Sequence, residues 1–255
     1  ANWPYSHKFV KRINMKKILL FSLMISFLVI SCDDFGGKRV RGNNNIVKED
    51  RSVDDFNAVE VHGALDVYVS QGDQKEVRIE GDENLVKYII TENHGNRLEV
   101  RTKEGYNLRP STKMKIYVTS PQFTHLDVSG ACNIYGENRI TSSDKLELEV
   151  SGAGDIRMEA DAPDLKASIS GSGKVDLKGR TQNFEVDLSG AGKATCFDLL
   201  SENTKVEISG AGSAEVFASV KLDARVSGAG KVRYKGNAAN VQQQVSGAGS
   251  VKKAD

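Results

Sequence analysis

The side chains that could carry chemistry are scattered along the chain. The four histidines, His7, His62, His94 and His125, share no metal-ligand spacing such as His-Glu-x-x-His. No metal or cofactor is therefore expected. Carboxylates are plentiful, and Asp155, Asp176, Glu185, Asp187, Glu207 and Asp223 alternate with apolar residues, which places them on the outward face of strands. Two acids on one face could cleave a glycosidic bond by acid and base catalysis. Lys166, Lys205 and Arg225 fall near these acids, however, and cross-strand ion pairs worth about 0.2–1 kcal/mol each explain the same pattern. Nothing singles out one pair of acids, so an enzyme is not the expected reading. The thiols of Cys132 and Cys196 could join in an exported protein. Cys196 shares an apolar face with Ala194, and Cys132 sits in a turn three repeats earlier. Strands stack about 4.8 Å apart, so three steps exceed the reach of a disulfide. A buried free thiol at Cys196 is expected.

Cys32 has a chemistry set by what precedes it. A basic start at Met15-Lys16-Lys17 leads into an apolar run from Ile18 to Ile30 and then Ser31-Cys32. The run is shorter than the roughly 20 residues needed to span a bilayer. It reads as an export signal, with residues 1–14 lying upstream of a true start at Met15. Leu28-Val29-Ile30-Ser31-Cys32 resembles a bacterial lipobox. That resemblance implies cleavage before Cys32 and lipidation of its thiol and amine, and two or more acyl chains anchor a protein stably. Cleavage would remove Lys8, Lys11, Arg12, Lys16 and Lys17 and no acid. It would turn the near balance of 35 basic against 34 acidic residues into a mild acidic excess. Such a body does not fit nucleic acid, which calls for concentrated Lys and Arg.

The elements that must position these groups announce themselves by repetition. Ser-Gly-Ala-Gly or a close variant begins at Ser129, Ser151, Ser170, Ser189, Ser209, Ser227 and Ser246. Strand-type alternation flanks each copy. Leu165, Ala167 and Ile169 point one way and Lys166, Ser168 and Ser170 the other. A near-constant period of about 19 residues with this pattern predicts an all-β, single-stranded parallel β-helix or β-solenoid. Parallel crossovers favour right-handed winding. The corner glycines are Gly130, Gly152, Gly154, Gly171, Gly173, Gly190, Gly192, Gly210, Gly212, Gly228, Gly230, Gly247 and Gly249. Their expected role is to accept positive φ at a tight reversal, with only a methyl fitting between them. No helix pattern follows the Gly-x-Gly, so it is not a dinucleotide fingerprint. The serines before the glycines form a ladder whose hydroxyls either bond to local corner amides or present a polar stripe to a partner.

Stacking predicts inward columns: Leu126, Leu148, Ala167, Val186, Val206, Ala224 and Gln243 in one, and Val128, Val150, Ile169, Leu188, Ile208, Val226 and Val245 in the next. Gln243 is the oddity, since a buried amide needs a partner. Either the last coil frays and wets it, or end-to-end self-association covers it. The chain divides into a leader and signal peptide (1–31), a flexible lipid-attached tether (32–52), an irregular β-rich head continuous with the solenoid (53–122) and regular repeats (123–255). Residues 33–50 are too polar and glycine-rich to order themselves. In the head, His62-Gly63 falls where Ser-Gly recurs, and Leu85 to Ile90 could be helix or strand, with β-branched content favouring strand.

These features resemble the family described as "putative auto-transporter adhesin, head GIN domain", exported proteins of stacked β coils, many of them lipoproteins of Bacteroidota. The resemblance covers 53–255 and is strongest in Leu146 to Ile156 and the matching stretches at Ser189, Ser209 and Ser227. Ser129-Gly130-Ala131-Cys132 departs from it, with Cys in place of the second glycine. The resemblance implies an outer-membrane, lipid-anchored binding or adhesion module. Its partner would be a polysaccharide or another envelope component, and the resemblance brings no catalytic residues. A glycan-active enzyme and a purely structural envelope protein are the alternatives.

Overall fold

A computed structural model describes residues 37–254 of the chain; Cys32 and the leader lie outside the described residues. The head runs through β1 (Lys38–Arg41), β2 (Ile46–Arg51), β3 (Ala58–Gly63), β4 (Asp66–Gln71) and β5 (Glu76–Asp82). A single helical turn, α1 (Glu83–Val86), leads to β6 (Ile89–His94), β7 (Arg97–Thr102), β8 (Tyr106–Arg109) and β9 (Lys115–Ser120). The repeats follow as β10 (His125–Gly130), β11 (Asn133–Gly136), β12 (Ile140–Thr141), β13 (Leu146–Gly152), β14 (Asp155–Gly171), β15 (Lys174–Gly190) and β16 (Lys193–Cys196). They end with β17 (Leu199–Gly210), β18 (Ser213–Phe217), β19 (Lys221–Gly228), β20 (Lys231–Lys235), β21 (Asn240–Gly247) and β22 (Ser250–Lys253).

The repeats form a β-solenoid of about seven turns, with parallel bridges about 20 residues apart. Register follows the sequence repeat. Ser151 lies opposite Ser170, Ser170 opposite Ser189 and Ser189 opposite Ser209. The inward columns are as the alternation predicts, and Leu126, Leu148, Ala167, Val186, Val206 and Ala224 are all fully buried. Column members differ in size from coil to coil, so the core is packed in layers that compensate one another.

The two glycines of a corner have different jobs. Gly171, the first of its pair, has φ +120°, which a Cβ disfavours. Gly173, the second, has no positive φ. A Cβ there would stand 2.4 Å from both the Gly154 carbonyl oxygen and Val150 Cγ1, so it is space that excludes a side chain. The residue between them is exposed at Ala153, Ser172, Ala191, Ala211, Ala229 and Ala248. The expectation that only a methyl fits there is corrected: the side chain points to solvent. Cys132 takes the second-glycine place at the first corner. The layer beneath carries Leu65 there, and the Leu65 amide donates to Cys132 Sγ at 3.4 Å. Cys132 sits in the corner between β10 and β11 as expected but is fully buried there, and both it and Cys196 are free thiols. Burial pushes the Cys132 thiol up to about 11.

The head is continuous with the solenoid but not in chain order. Strands β3 and β4 are the first coil, with His62-Gly63 in register with Ser129-Gly130. On their other side lie β7 and β9, which come later in sequence. The link between β7 and β9 is not a glycine corner. It is an excursion through β8, which pairs in parallel with β1. Antiparallel strands close this end: β6 on β7, and β2 on β5 on β9.

Two expectations are corrected here. The stretch expected to be a tether is ordered from Lys38, because β1 and β2 bond to strand edges that need little apolar surface from them. Asp82 fastens this segment. It is fully buried and accepts from the Asn44 amide at 2.8 Å, the Ser111 amide at 2.8 Å and Ser111 Oγ at 2.6 Å. Leu85 and Val86 lie on α1 rather than on a strand, both fully buried, while Ile89 and Ile90 do form strand. At the far end β21 pairs with β19. Gln243 stands in register with Ala224 yet is exposed, and Val245 is 45% exposed.

Candidate functional site

The junction of head and repeats presents a feature the later coils lack. Strands β9, β4 and β11 are neighbours, and register places Tyr117, Tyr68 and Tyr135 side by side on their outer face. The Tyr68 ring is 5.3 Å from Tyr117 and 5.3 Å from Tyr135, centroid to centroid, at 27° and 32°. Each residue follows an inward anchor, Ile116, Val67 or Ile134, all fully buried. Alternation thus forces the rings outward, and stacking on one another half-buries them. Ring pairs at this separation attract beyond their buried area.

Polar groups gather at one end of this row. Asp66, two residues before Tyr68, accepts from Asn133 Nδ2 at 2.7 Å and meets Lys113 Nζ at 3.2 Å. Lys113 comes from the β8 excursion, and its ammonium is held protonated above its usual range by the hydrogen bond and charge of Asp66. Burial, with Asp66 nearby, pushes the Tyr135 hydroxyl up, so it stays a neutral donor. A hollow of about 510 Å³ opens here, lined among others by Asp66, Tyr106, Pro110, Lys113 and Asn133. The arrangement offers apolar ring surface, a row of phenol hydroxyls, one carboxylate and one cation. Such a combination of groups suits contact with a partly polar ligand.

Outward charges from β14 to β19 pair across the strands. Lys205 lies 2.9 Å from Glu185 and 3.2 Å from Glu207, and Arg225 lies 3.1 Å from both Glu207 and Asp223. Lys166 lies 3.0 Å from Asp187, and Arg157 3.4 Å from Asp176. The serine ladder borders a shallow groove of about 830 Å³. The expectation that its hydroxyls bond the corner amides is corrected, and the cause is plain. Those amides already donate to the coil below, as Ala191 to the Gly171 carbonyl at 2.8 Å. The exposed hydroxyls are left to solvent.

Each described histidine faces carboxylates. His62 Nε2 is 3.1 Å from Glu60, His94 Nε2 is 3.1 Å from Glu99, and His125 Nδ1 is 3.5 Å from Glu147. Spacing along the chain hides these groupings, because strand pairing creates them. The tyrosine row has a signal in the sequence: Asp66-Val67-Tyr68, Lys115-Ile116-Tyr117 and Asn133-Ile134-Tyr135 repeat one pattern at the same place in three coils.

Comparison with solved structures gives matches to the whole fold. A "putative adhesin" from Bacteroides fragilis shares 23% identity over 84% of this chain and all of that one, with TM-score 0.78. Another from Parabacteroides distasonis shares 26% identity over 85% of this chain and all of that one, with TM-score 0.70. A "putative lipid binding protein" from Parabacteroides distasonis shares 24% identity over 86% of this chain and all of that one, with TM-score 0.68. No curated protein matches. The model of one family covers residues 55–238, from just before the first coil to the penultimate one. With the strands from β3 to β20 inside that match, the chain belongs to the family described as "putative auto-transporter adhesin, head GIN domain".

Proposed function

We propose that this chain is an exported envelope protein that works as a rigid, adhesion-type binding module, and that the ligand of its head is a saccharide chain. The observation that carries this reading is the Tyr117–Tyr68–Tyr135 row ending at Asp66, Lys113 and Asn133. A sugar ring alternates apolar C–H surface with hydroxyls. The row alternates apolar ring surface with phenol hydroxyls, and its end supplies an acceptor and a donor, the combination that orients a ligand in a binding site. The adhesin descriptions of the family and of two structural relatives support the reading. The lipid-binding description of the third gains less support, because the solenoid interior is filled by side chains at near-zero exposure. Cys32 would carry the lipid that holds the module at a membrane. Among the described residues, no helix is long and apolar enough to cross one.

The test is an array of envelope polysaccharides with the full chain. Saturable binding without new reducing ends is expected, weakened about tenfold or more by Tyr68→Ala, with Lys205→Ala as an unaffected control. Binding by neither protein would remove the saccharide reading. Turnover abolished by one Asp or Glu change would replace it with a glycan-active enzyme.

A further inference from the structure

We propose that His125, Asp127 and Glu149 bind a divalent cation of the zinc class. His125 and Asp127 lie two apart on β10, so both face outward, and β13 pairs alongside with Glu149 directly opposite Asp127. One ligand atom from each lies within 4.8 Å of the other two. Around a cation at about 2.1 Å, three such atoms would close to roughly 3.4 Å apart, within the reach of side-chain rotation. One imidazole and two carboxylates suit zinc better than calcium, which takes oxygen ligands only. Solvent would fill the remaining position.

The charge balance of the face independently calls for a cation. Asp127 and Glu149 are like charges directly opposed across a strand pair, an unfavourable arrangement. The other carboxylates of these columns are answered. Glu60 meets Arg97, Glu99 meets Arg101, Glu147 meets Lys145, Glu185 meets Lys205, Asp187 meets Lys166 and Glu207 meets Arg225. Among the described residues, Asp127 and Glu149 have neither an ion pair nor a side-chain hydrogen bond. His125 is also oriented: with its Nδ1 facing Glu147 at 3.5 Å, a proton there leaves Nε2 as the donor to metal, the arrangement in which an outer carboxylate fixes a ligating imidazole.

The molecule holds its own control. Glu92, His94 and Glu99 are grouped as closely, but Arg101 lies 3.3 Å from Glu92 and 3.1 Å from Glu99. A cation already occupies that balance, so no metal is expected there.

The experiment titrates the full chain with Zn²⁺ alone, by calorimetry and by thermal melting. One saturable site is expected, with a rise in melting temperature. Asp127→Asn and Glu149→Gln should each weaken binding about tenfold or more, and His94→Ala should leave it unchanged. Asp127→Asn should also raise the melting temperature of the metal-free protein, since it removes the repulsion; Glu149 is exposed, so its variant folds and keeps the test decisive. The proposal falls if the wild type shows no saturable binding below about 1 mM, if both variants bind as the wild type does, or if His94→Ala abolishes binding.

Discussion

At the residue scale, the corners show that one residue type can be required for two reasons. Gly190 has φ +111°, and a Cβ there would also stand 2.7 Å from the Gly171 carbonyl oxygen. Gly190→Val should destabilise the fold by about 1–3 kcal/mol, whereas Lys205→Ala removes a half-exposed ion pair worth about 0–1 kcal/mol. Denaturant titration compares them, and equal losses would mean that the corner geometry is wrong. The sequence shows that glycine is needed at Gly171 and Gly173 alike. It does not show that the first answers to backbone angle and the second to the approach of Val150 and Gly154, because that approach exists only once coils are stacked. The contacts within the Tyr68 row and within the His125 triad arise in the same way. Tyr68 needs Tyr117 and Asp127 needs Glu149, each from a different strand and brought level only by register.

At the element scale, regularity decides what can be read. From β10 onward every coil repeats the same alternation, so the columns from Leu126 to Ala224 follow from counting. The strands before β10 obey no period, and their order in the stack depends on pairings between segments far apart in the chain. The Gly42 to Asn45 segment looks unstructured by composition, yet its order comes from Asp82 on another element. Burial pushes the Asp82 carboxyl up, but hydrogen bonds from Ser111 and Asn44 outweigh it and hold the group below its usual range. Because the folded value is depressed, its stabilisation is present above the unfolded value near 3.9 and is lost as pH falls through the folded value. Asp82→Asn should therefore destabilise the head by about 1.5–3 kcal/mol at neutral pH and flatten the acid limb of the stability curve. An unchanged acid limb in the variant would show that Asp82 is not the group responsible.

At the scale of the whole molecule, the tyrosine row and the His125 cluster lie in or beside the capped head, away from the last strands, β21 and β22. The head is also the part nearest the site of attachment if Cys32 carries lipid. Labelling cells with a fatty-acid analogue should mark the wild type and not Cys32→Ser, and equal labelling would end the anchoring proposal. A ligand gripped at the head would then be held close to the membrane, with the repeats projecting beyond it.

The displaced order of the head also bears on how the chain assembles. Coil β3–β4 has both its neighbours later in sequence, since Val61 pairs with Val100 and with Val128. The loop that must close from Val61 to Val128 is several times longer than the one from Val150 to Ile169. The longer closure costs about 1 kcal/mol more in chain entropy, and contacts so distant in sequence slow folding. The repeats can therefore zip onto one another coil by coil as they emerge, but only onto a template, and that template is complete only when β10 has reached β3. The segment made first is the one that must wait, and its exposed edges are the chain's greatest hazard until it does.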